Sequence, residues 1–410
     1  MINKGKKIAF YGGYTIWSAG DDAPLAFLIH KLKAHFNDDI EYVVFARHPN
    51  DHFDRTFGVK TVQNLEYETK SLSANRWLQG LNFEDDRDRI KAIANIISDS
   101  DLLILGAGNF ITEVSLDLLK GHFAQFALMT LLADIAETPV YLFGLSANKL
   151  LNPWTAKTAR WMLDKASSVT FRDSYAIDNL KESGVKLPEY KLLPDAALGA
   201  PSAPKGREDE ILEMENIPTP GGPRLGVALR DLSWMNGNKK YEALLINIID
   251  KWCEIDKHDV IFIPQCTYSV DSPHTDDRFI AQRIRAQLEK VEKAHIITNQ
   301  YDYFDIESLY RKVDISLTTR LHGAVFSAKV GTPPIGLSYE DKVRGFFKQI
   351  GLDENSFNIN DDPNVIFMKM IQTLNNKDAI SEVITNRIGR LKGQLDEYLD
   401  VIINLIEGKQ

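Results

Sequence analysis

Five basic side chains end apolar runs that read as strands: Arg172 in Thr170-Phe171-Arg172-Asp173, Arg230 in Ala228-Leu229-Arg230, Arg320 and His322 in Thr319-Arg320-Leu321-His322-Gly323, and Lys342 in Ser338-Tyr339-Glu340-Asp341-Lys342. A guanidinium binds carboxylate or phosphate through two parallel donors. An imidazole can release a proton near neutral pH. Brought to one edge, these groups would suit a small anionic substrate that must be protonated during reaction. Each has a plainer reading, since an Arg or Lys after a strand is usually solvated and a single His is usually a satisfied polar group. Three of the five fall inside residues 317–342, which makes the plain reading harder to apply to all of them.

The elements that must position them follow from hydrophobic pattern. Residues 317–342 read as strand, loop, helix, strand and loop, with Gly331-Thr332-Pro333-Pro334 ending the helix. This places Arg320, His322 and Lys342 at carboxyl ends of strands, where open α/β sheets bind ligands and helix N-termini favour anions. The same alternation runs through the chain. Residues 8–11 form a strand before Gly12-Gly13, and Ser18-Ala19-Gly20-Asp21-Asp22 leads into a helix over 23–36. One of Asp21 and Asp22 is expected to cap that helix and the other to reach a ligand. The glycines do not form GxGxxG, so they carry little nucleotide-binding signal.

Residues 41–46 are the next strand, and the polar stretch 47–88 is long enough to hold small inserted elements or a loop over the site. Tyr67 and Trp77 within it could meet a sugar face or anchor the loop. Residues 101–105 read as a buried strand followed by the glycine loop 106–110, and further strands are expected at 140–145 and from 168. Residues 199–223, rich in Pro, Gly and charge, form the best linker. Strands at 225–229, 260–263 and 295–298 begin a second sheet, which the 317–342 stretch closes. Apolar spacing over 384–406 is helical. The expected fold is α/β, with two Rossmann-like doubly wound domains facing a central cleft and a C-terminal helical segment. The boundaries are 1–200, a linker over 201–223, 224–375, and 376–410 packing back on the body.

Composition narrows the function. At 410 residues the chain exceeds one ordinary core, and a net charge of −9 without a basic tract excludes a nucleic-acid binder. Cys253 and Cys266 are too few for a disulfide framework or a Cys-rich metal site. The loop containing Asp271, His274, Asp276 and Asp277 matches no metal-ligand spacing, so no metal and no cofactor are expected. No GxSxG elbow marks a serine hydrolase. The basic N-terminus passes straight into a strand rather than a signal peptide, and no apolar run is long enough to span a membrane. A cytoplasmic protein is expected, with peripheral membrane contact left open and oligomeric state unreadable.

Taken in order, several segments resemble the polysaccharide pyruvyl transferase family. They are Gly20-Asp21-Asp22, the glycine loop 103–109, 170–174, Pro194-Asp195-Ala196, 226–230, 319–323 and 338–342, and the resemblance covers residues 8–352. Ser18 stands where the family commonly has Asn, and Gly106-Ala107-Gly108-Asn109 is poorer in Gly than usual. The resemblance implies a GT-B-like fold and transfer of pyruvate from phosphoenolpyruvate onto two hydroxyls of a sugar, as a cyclic ketal, in exopolysaccharide or cell-envelope polysaccharide synthesis. The acceptor would be free, lipid-linked or polymeric, and would bind on the N-terminal side. In that chemistry His322 would protonate the enol methylene. Arg320, with Leu321 beside it, and Arg172 would hold the carboxylate and phosphate, and Arg230 would join them. Lys342 would offset charge on the departing phosphate, and Asp21 would take the acceptor's proton. Two alternatives stay open: a GT-B glycosyltransferase using a sugar nucleotide, and a non-catalytic two-lobed protein binding a small anion.

Overall fold

A computed structural model of the chain describes residues 6–15, 17–36, 39–65, 83–113, 122–233, 235, 238–267 and 275–408. The chain divides into two compact units. Met1–Thr15, Pro24–Ala200 and Gly393–Gln410 form the first, and Ile16–Ala23 with Pro201–Lys392 form the second.

Up to residue 192 the elements are β1 (Lys6–Tyr11), α1 (Ala19–Phe36), β2 (Ile40–Ala46), α2 (Asp51–Phe57), β3 (Lys60–Gln63), α3 (Phe83–Ser98), β4 (Leu102–Ile111), α4 (His122–Ile135), β5 (Val140–Ala147), α5 (Pro153–Lys165), β6 (Ser168–Phe171), α6 (Ser174–Glu182) and β7 (Lys191–Leu192). The strands form one parallel sheet in the order β3-β2-β1-β4-β5-β6-β7. β4 and β5 are nearly continuous apolar runs because helices cover both faces of a parallel sheet. Leu103, Leu105, Leu142 and Leu145 share a core with Ile93, Phe126, Met162 and Leu180 from the helices.

The glycine stretch expected to be a loop instead continues β4, pairing Gly106 with Phe143 and Gly108 with Leu145. Gly106 is required there: its φ is 146°, and a Cβ would run into the Phe143 carbonyl. The helix expected from residue 23 starts earlier, at Ala19, with the amides of Asp21 and Asp22 both donating to the Ser18 carbonyl. Neither aspartate is therefore the cap. The partition of the chain falls at Pro24, which has no amide to donate to the preceding turn of α1. Between 47 and 88 the described residues hold α2, β3 and the start of α3, while Tyr67 and Trp77 lie outside them.

The second unit contains α7 (Arg207–Met214), β8 (Arg224–Ala228), α8 (Asn238–Glu254), β9 (Asp259–Phe262), α9 (Asp277–Arg285), β10 (Ala294–Ile296), α10 (Tyr303–Leu309), β11 (Ile315–Thr318), α11 (Leu321–Lys329), β12 (Pro334–Ser338), α12 (Asp341–Gln349), β13 (Ser356–Asn358), α13 (Pro363–Asn375) and α14 (Lys377–Lys392). α15 (Asp396–Glu407) belongs to the first unit. The second sheet is parallel in the order β10-β9-β8-β11-β12-β13. Its direction of winding reverses between β8 and β11, and in the first sheet between β1 and β4. In doubly wound sheets ligands bind outside the carboxyl ends at such a reversal.

Three expectations change here. The 199–223 segment contains α7, because Ile211 and Leu212 are buried and give an otherwise polar stretch an inward face. β12 does not close the second sheet, since the short β13 adds an edge strand. The helical spacing over 384–406 is two helices, α14 and α15, broken by a turn at 393–395 that begins with Gly393.

Candidate functional site

The carboxyl ends of β8, β11 and β12 carry Arg230, then Arg320 and His322, then Tyr339 and Lys342. The chain leaves β11 through a tight hydroxyl-bonded turn. Thr318 Oγ1 donates to the Arg320 carbonyl at 2.6 Å and accepts from the Arg320 amide at 3.1 Å. Arg320 then stands at the N-cap position of α11, and His322 lies in the helix's first turn. Gly323 lets that turn approach the sheet, since a Cβ there would overlap the Thr318 hydroxyl and the Ala228 methyl of β8. The first-turn amides of α11 and the positive end of its dipole are thereby presented at the winding reversal.

Arg320 is set by a carboxylate that the sequence offers only as a metal ligand, Asp277. Its Nη2 donates to Asp277 Oδ1, and the two side chains are 16% and 2% exposed. Asp277 Oδ2 accepts the amides of Gln265 and Cys266, each at 3.0 Å. This one carboxylate therefore holds both the guanidinium and the turn after β9. Burial works against charge on Arg320, but Asp277 keeps its pKa well above the ordinary arginine range. Burial pushes the Asp277 carboxyl up, against the pull of Arg320 and the two amides. The neighbouring Asp276 caps α9 and pairs with Arg278. Both aspartates are thus committed to protein partners, and Asp271 and His274 lie outside the described residues. Among the described residues no cluster of potential metal ligands occurs.

Arg230 is fixed from three sides. Its amide donates to Thr319 Oγ1 at 2.9 Å, its carbonyl accepts from Tyr241 Oη at 3.3 Å, and its Nη1 donates to Tyr339 Oη at 2.7 Å. Burial again opposes its charge, and nearby Arg320 adds repulsion, yet Tyr339 and Glu340 raise its pKa. Arg230 and Arg320 thus share one electrostatic environment at the ends of the two strands that flank the reversal. Lys342 pairs with Glu340 at 2.5 Å and lies 5.9 Å from the Tyr339 ring centroid.

The segment leading into α1 is stitched to the end of β9. Thr267 N donates to the Trp17 carbonyl at 2.8 Å, and Ala19 N donates to the Gln265 carbonyl at 2.9 Å. Ser18 Oγ donates to Asp21 Oδ2 at 2.5 Å and lies 3.4 Å from Cys266 Sγ. This stitching brings Gly20 against His322, so closely that a Cβ on Gly20 would overlap the imidazole at Nδ1. Asp21 follows directly, with its carboxylate held by Ser18.

Arg172 lies in the first unit. It is 6% exposed and pairs with Asp195 at 3.0 Å, while the adjacent Asp173 caps α6 and accepts from Ser146 Oγ at 2.7 Å. The structure thus gathers Arg230, Arg320, His322, Lys342 and Asp21 within the second unit and assigns Arg172 to the first. Sequence reading missed three participants: Asp277, Tyr339 and the packing role of Gly20. Tyr339 stood in the segment singled out for Lys342, but nothing marked it as the partner of Arg230.

Comparison with known proteins gives the fold and the family. The AmsJ amylovoran biosynthesis protein of Erwinia amylovora is 22% identical over 275 residues, 63% of this chain and 63% of that protein. The chain therefore spans slightly less than two thirds of the length of that relative. Among solved structures, UDP-GlcNAc 2-epimerase from Neisseria meningitidis, bound to UDP-GlcNAc, superimposes with a TM-score of 0.65 at 10% identity, over 97% of this chain and 100% of that one. Anabaena Alr3699/HepE in complex with UDP-glucose gives 0.61 at 12% identity, over 96% and 99%. At these identities the likeness shows the fold alone, a GT-B-like pair of Rossmann-type units. The polysaccharide pyruvyl transferase family model matches residues 19–341, from the first turn of α1 that packs on His322 to the end of the segment bearing Tyr339. By that match the chain belongs to the polysaccharide pyruvyl transferase family.

Proposed function

We propose that the protein transfers pyruvate from phosphoenolpyruvate to two hydroxyls of a sugar in a polysaccharide or its precursor, releasing phosphate. The observation that carries this reading is His322 in the first turn of α11, with Arg230 and Arg320 at the ends of the two strands flanking the winding reversal. Phosphoenolpyruvate carries a carboxylate and a phosphate, which the guanidiniums and the helix amides would hold. Addition of a proton from His322 to the methylene carbon leaves positive charge on the adjacent carbon. One sugar hydroxyl attacks that carbon and gives its proton to Asp21. The C–O bond to phosphate then breaks, and the second hydroxyl closes the ketal, with its proton leaving on phosphate. Lys342 would offset the charge of the departing group. No redox partner or metal enters this balance.

Calorimetric titration with phosphoenolpyruvate tests the donor assignment, using the natural protein and Arg230→Ala. The expected result is saturable binding that Arg230→Ala weakens by about tenfold to a hundredfold, the range for a charge-assisted bond. The sugar-nucleotide reading has one observation in its favour, that both structural relatives above were solved with UDP-sugars. Binding of UDP-GlcNAc or UDP-glucose without binding of phosphoenolpyruvate would overturn pyruvyl transfer and support a glycosyltransferase.

A further inference from the structure

The loop after β5 and the first turns of α5 put two large apolar side chains into solvent, Leu151 at 80% and Trp154 at 71% exposure. They are not on a loose end. Glu113 Oε1 accepts the amides of Leu151 and Asn152 at 2.6 and 2.8 Å, and Asn152 caps the helix by accepting from Trp154 N at 2.9 Å. Leu150, Thr155 and Ala159 are buried on the opposite side. The exposed pair is therefore held outward by a well-anchored helix start.

The stretch of chain that forms this ridge carries basic side chains and no acidic ones of its own. Residues 138–163 contain no Asp or Glu, in a chain that has 57 of them, but do contain Lys149, Lys157 and Arg160. A shallow concavity there is walled by Leu151, Pro153, Ala156 and Gly184 together with Lys157 and Arg160, and no carboxylate lines it. The Lys157 ammonium lies 4.6 Å from the Trp154 ring centroid. Lys149 pairs with Glu182 at 2.7 Å and Arg160 with Asp164 at 3.5 Å. These pairs are solvent-exposed and weak enough to yield to phosphates.

We propose that this ridge, at the carboxyl edge of the first sheet, docks the protein on an anionic phospholipid surface. Trp154 and Leu151 would enter the interfacial region, and Lys157, Arg160 and Lys149 would meet lipid phosphates. A tryptophan and a leucine flanked by cations are the combination that favours the interface of an anionic membrane. Two exposed apolar side chains are too little surface for a stable protein interface, which buries about 800 Å² per partner. Shallow insertion requires no more than these. The surface stands whether or not phosphoenolpyruvate is the donor.

Co-sedimentation of the full chain with vesicles of phosphatidylcholine, with and without phosphatidylglycerol, tests this. Binding is expected only with phosphatidylglycerol present. Trp154→Ser should abolish it, and Lys157→Gln with Arg160→Gln should weaken it by about tenfold or more, at roughly fivefold per cation. Thermal melting confirms that each variant is folded, as expected for exposed positions. Failure to sediment with anionic vesicles, or sedimentation unchanged in both variants, would overturn the proposal. So would a concentration-dependent dimer that Trp154→Ser dissociates without any vesicle binding, which would assign the ridge to a second copy of the chain.

Discussion

Gly20 and His322 touch so closely that position 20 accommodates no side chain. The imidazole thus has a wall of backbone on its Nδ1 side, supplied by a helix turn 302 residues earlier in the chain. Gly20→Ala is expected to turn the imidazole away from its present orientation while leaving the fold intact, because the helix itself gains from alanine. Displacement of a proton donor by about 1 Å can cost about a hundredfold in rate. Turnover should therefore fall by about that factor in Gly20→Ala and by at least as much in His322→Gln, with phosphoenolpyruvate affinity changed less than tenfold. A Gly20→Ala enzyme with natural turnover would show that His322 is not the proton donor or that its orientation is immaterial.

Arg320 and Asp277 form the most buried charge pair of the site. Removing one partner leaves a charge without its counterion, at a typical cost of about 3–5 kcal/mol. Arg320→Ala should be less stable than the natural protein by about that amount in urea unfolding. Arg320→Ala combined with Asp277→Ala should be destabilised by less than the sum of the single changes. Simple additivity would mean that Asp277 serves the turn after β9 and not the guanidinium.

The legible and illegible parts of this site differ by physical type. Arg230, Arg320 and His322 could be found because each follows a buried parallel strand, and such a strand is written locally as an apolar run. Asp277 could not, since the residue it holds lies 43 positions away and its local setting reads as polar loop. Gly20 was visible as a glycine but not as a neighbour of His322. The β3 and β13 strands are only four and three residues long and largely polar, so no periodicity marks them. By composition the glycine stretch of β4 signals a turn, whereas Gly106 is needed for close approach of two strands.

Two histidines give the second unit an acid-sensitive stability. Burial lowers the pKa of His258 and, with Asp259 partly offsetting it, of His295, from an ordinary value of 6.5. Each is then protonated more readily in the unfolded chain than in the folded one. Their contribution is intact above about pH 6.5 and is lost as pH falls toward the folded-state values, at no more than about 1.4 kcal/mol per pH unit for each. Urea unfolding of the second unit is expected to shift to lower urea between pH 7.5 and 5.5, and His258→Gln should flatten that dependence. A pH profile unchanged by the substitution would place the proton uptake elsewhere.

Cys266 lies beside the Ser18 hydroxyl at the edge of the site, which invites a nucleophilic or redox role. Its environment argues otherwise. Burial pushes its thiol pKa up to about 11 in spite of Arg320, and Cys253 is pushed up to about 12. Only a small fraction of either is thiolate at neutral pH, and the thiolate is the reactive form. Iodoacetamide at pH 8 is therefore expected to leave both thiols unmodified in the folded protein and to alkylate both in urea. Cys266→Ser should retain turnover within a few-fold, because the serine hydroxyl can still meet Ser18 and Asp277 still accepts the residue's backbone amide. Rapid alkylation of Cys266 that abolishes activity, together with an inactive Cys266→Ser, would assign the thiol to the chemistry.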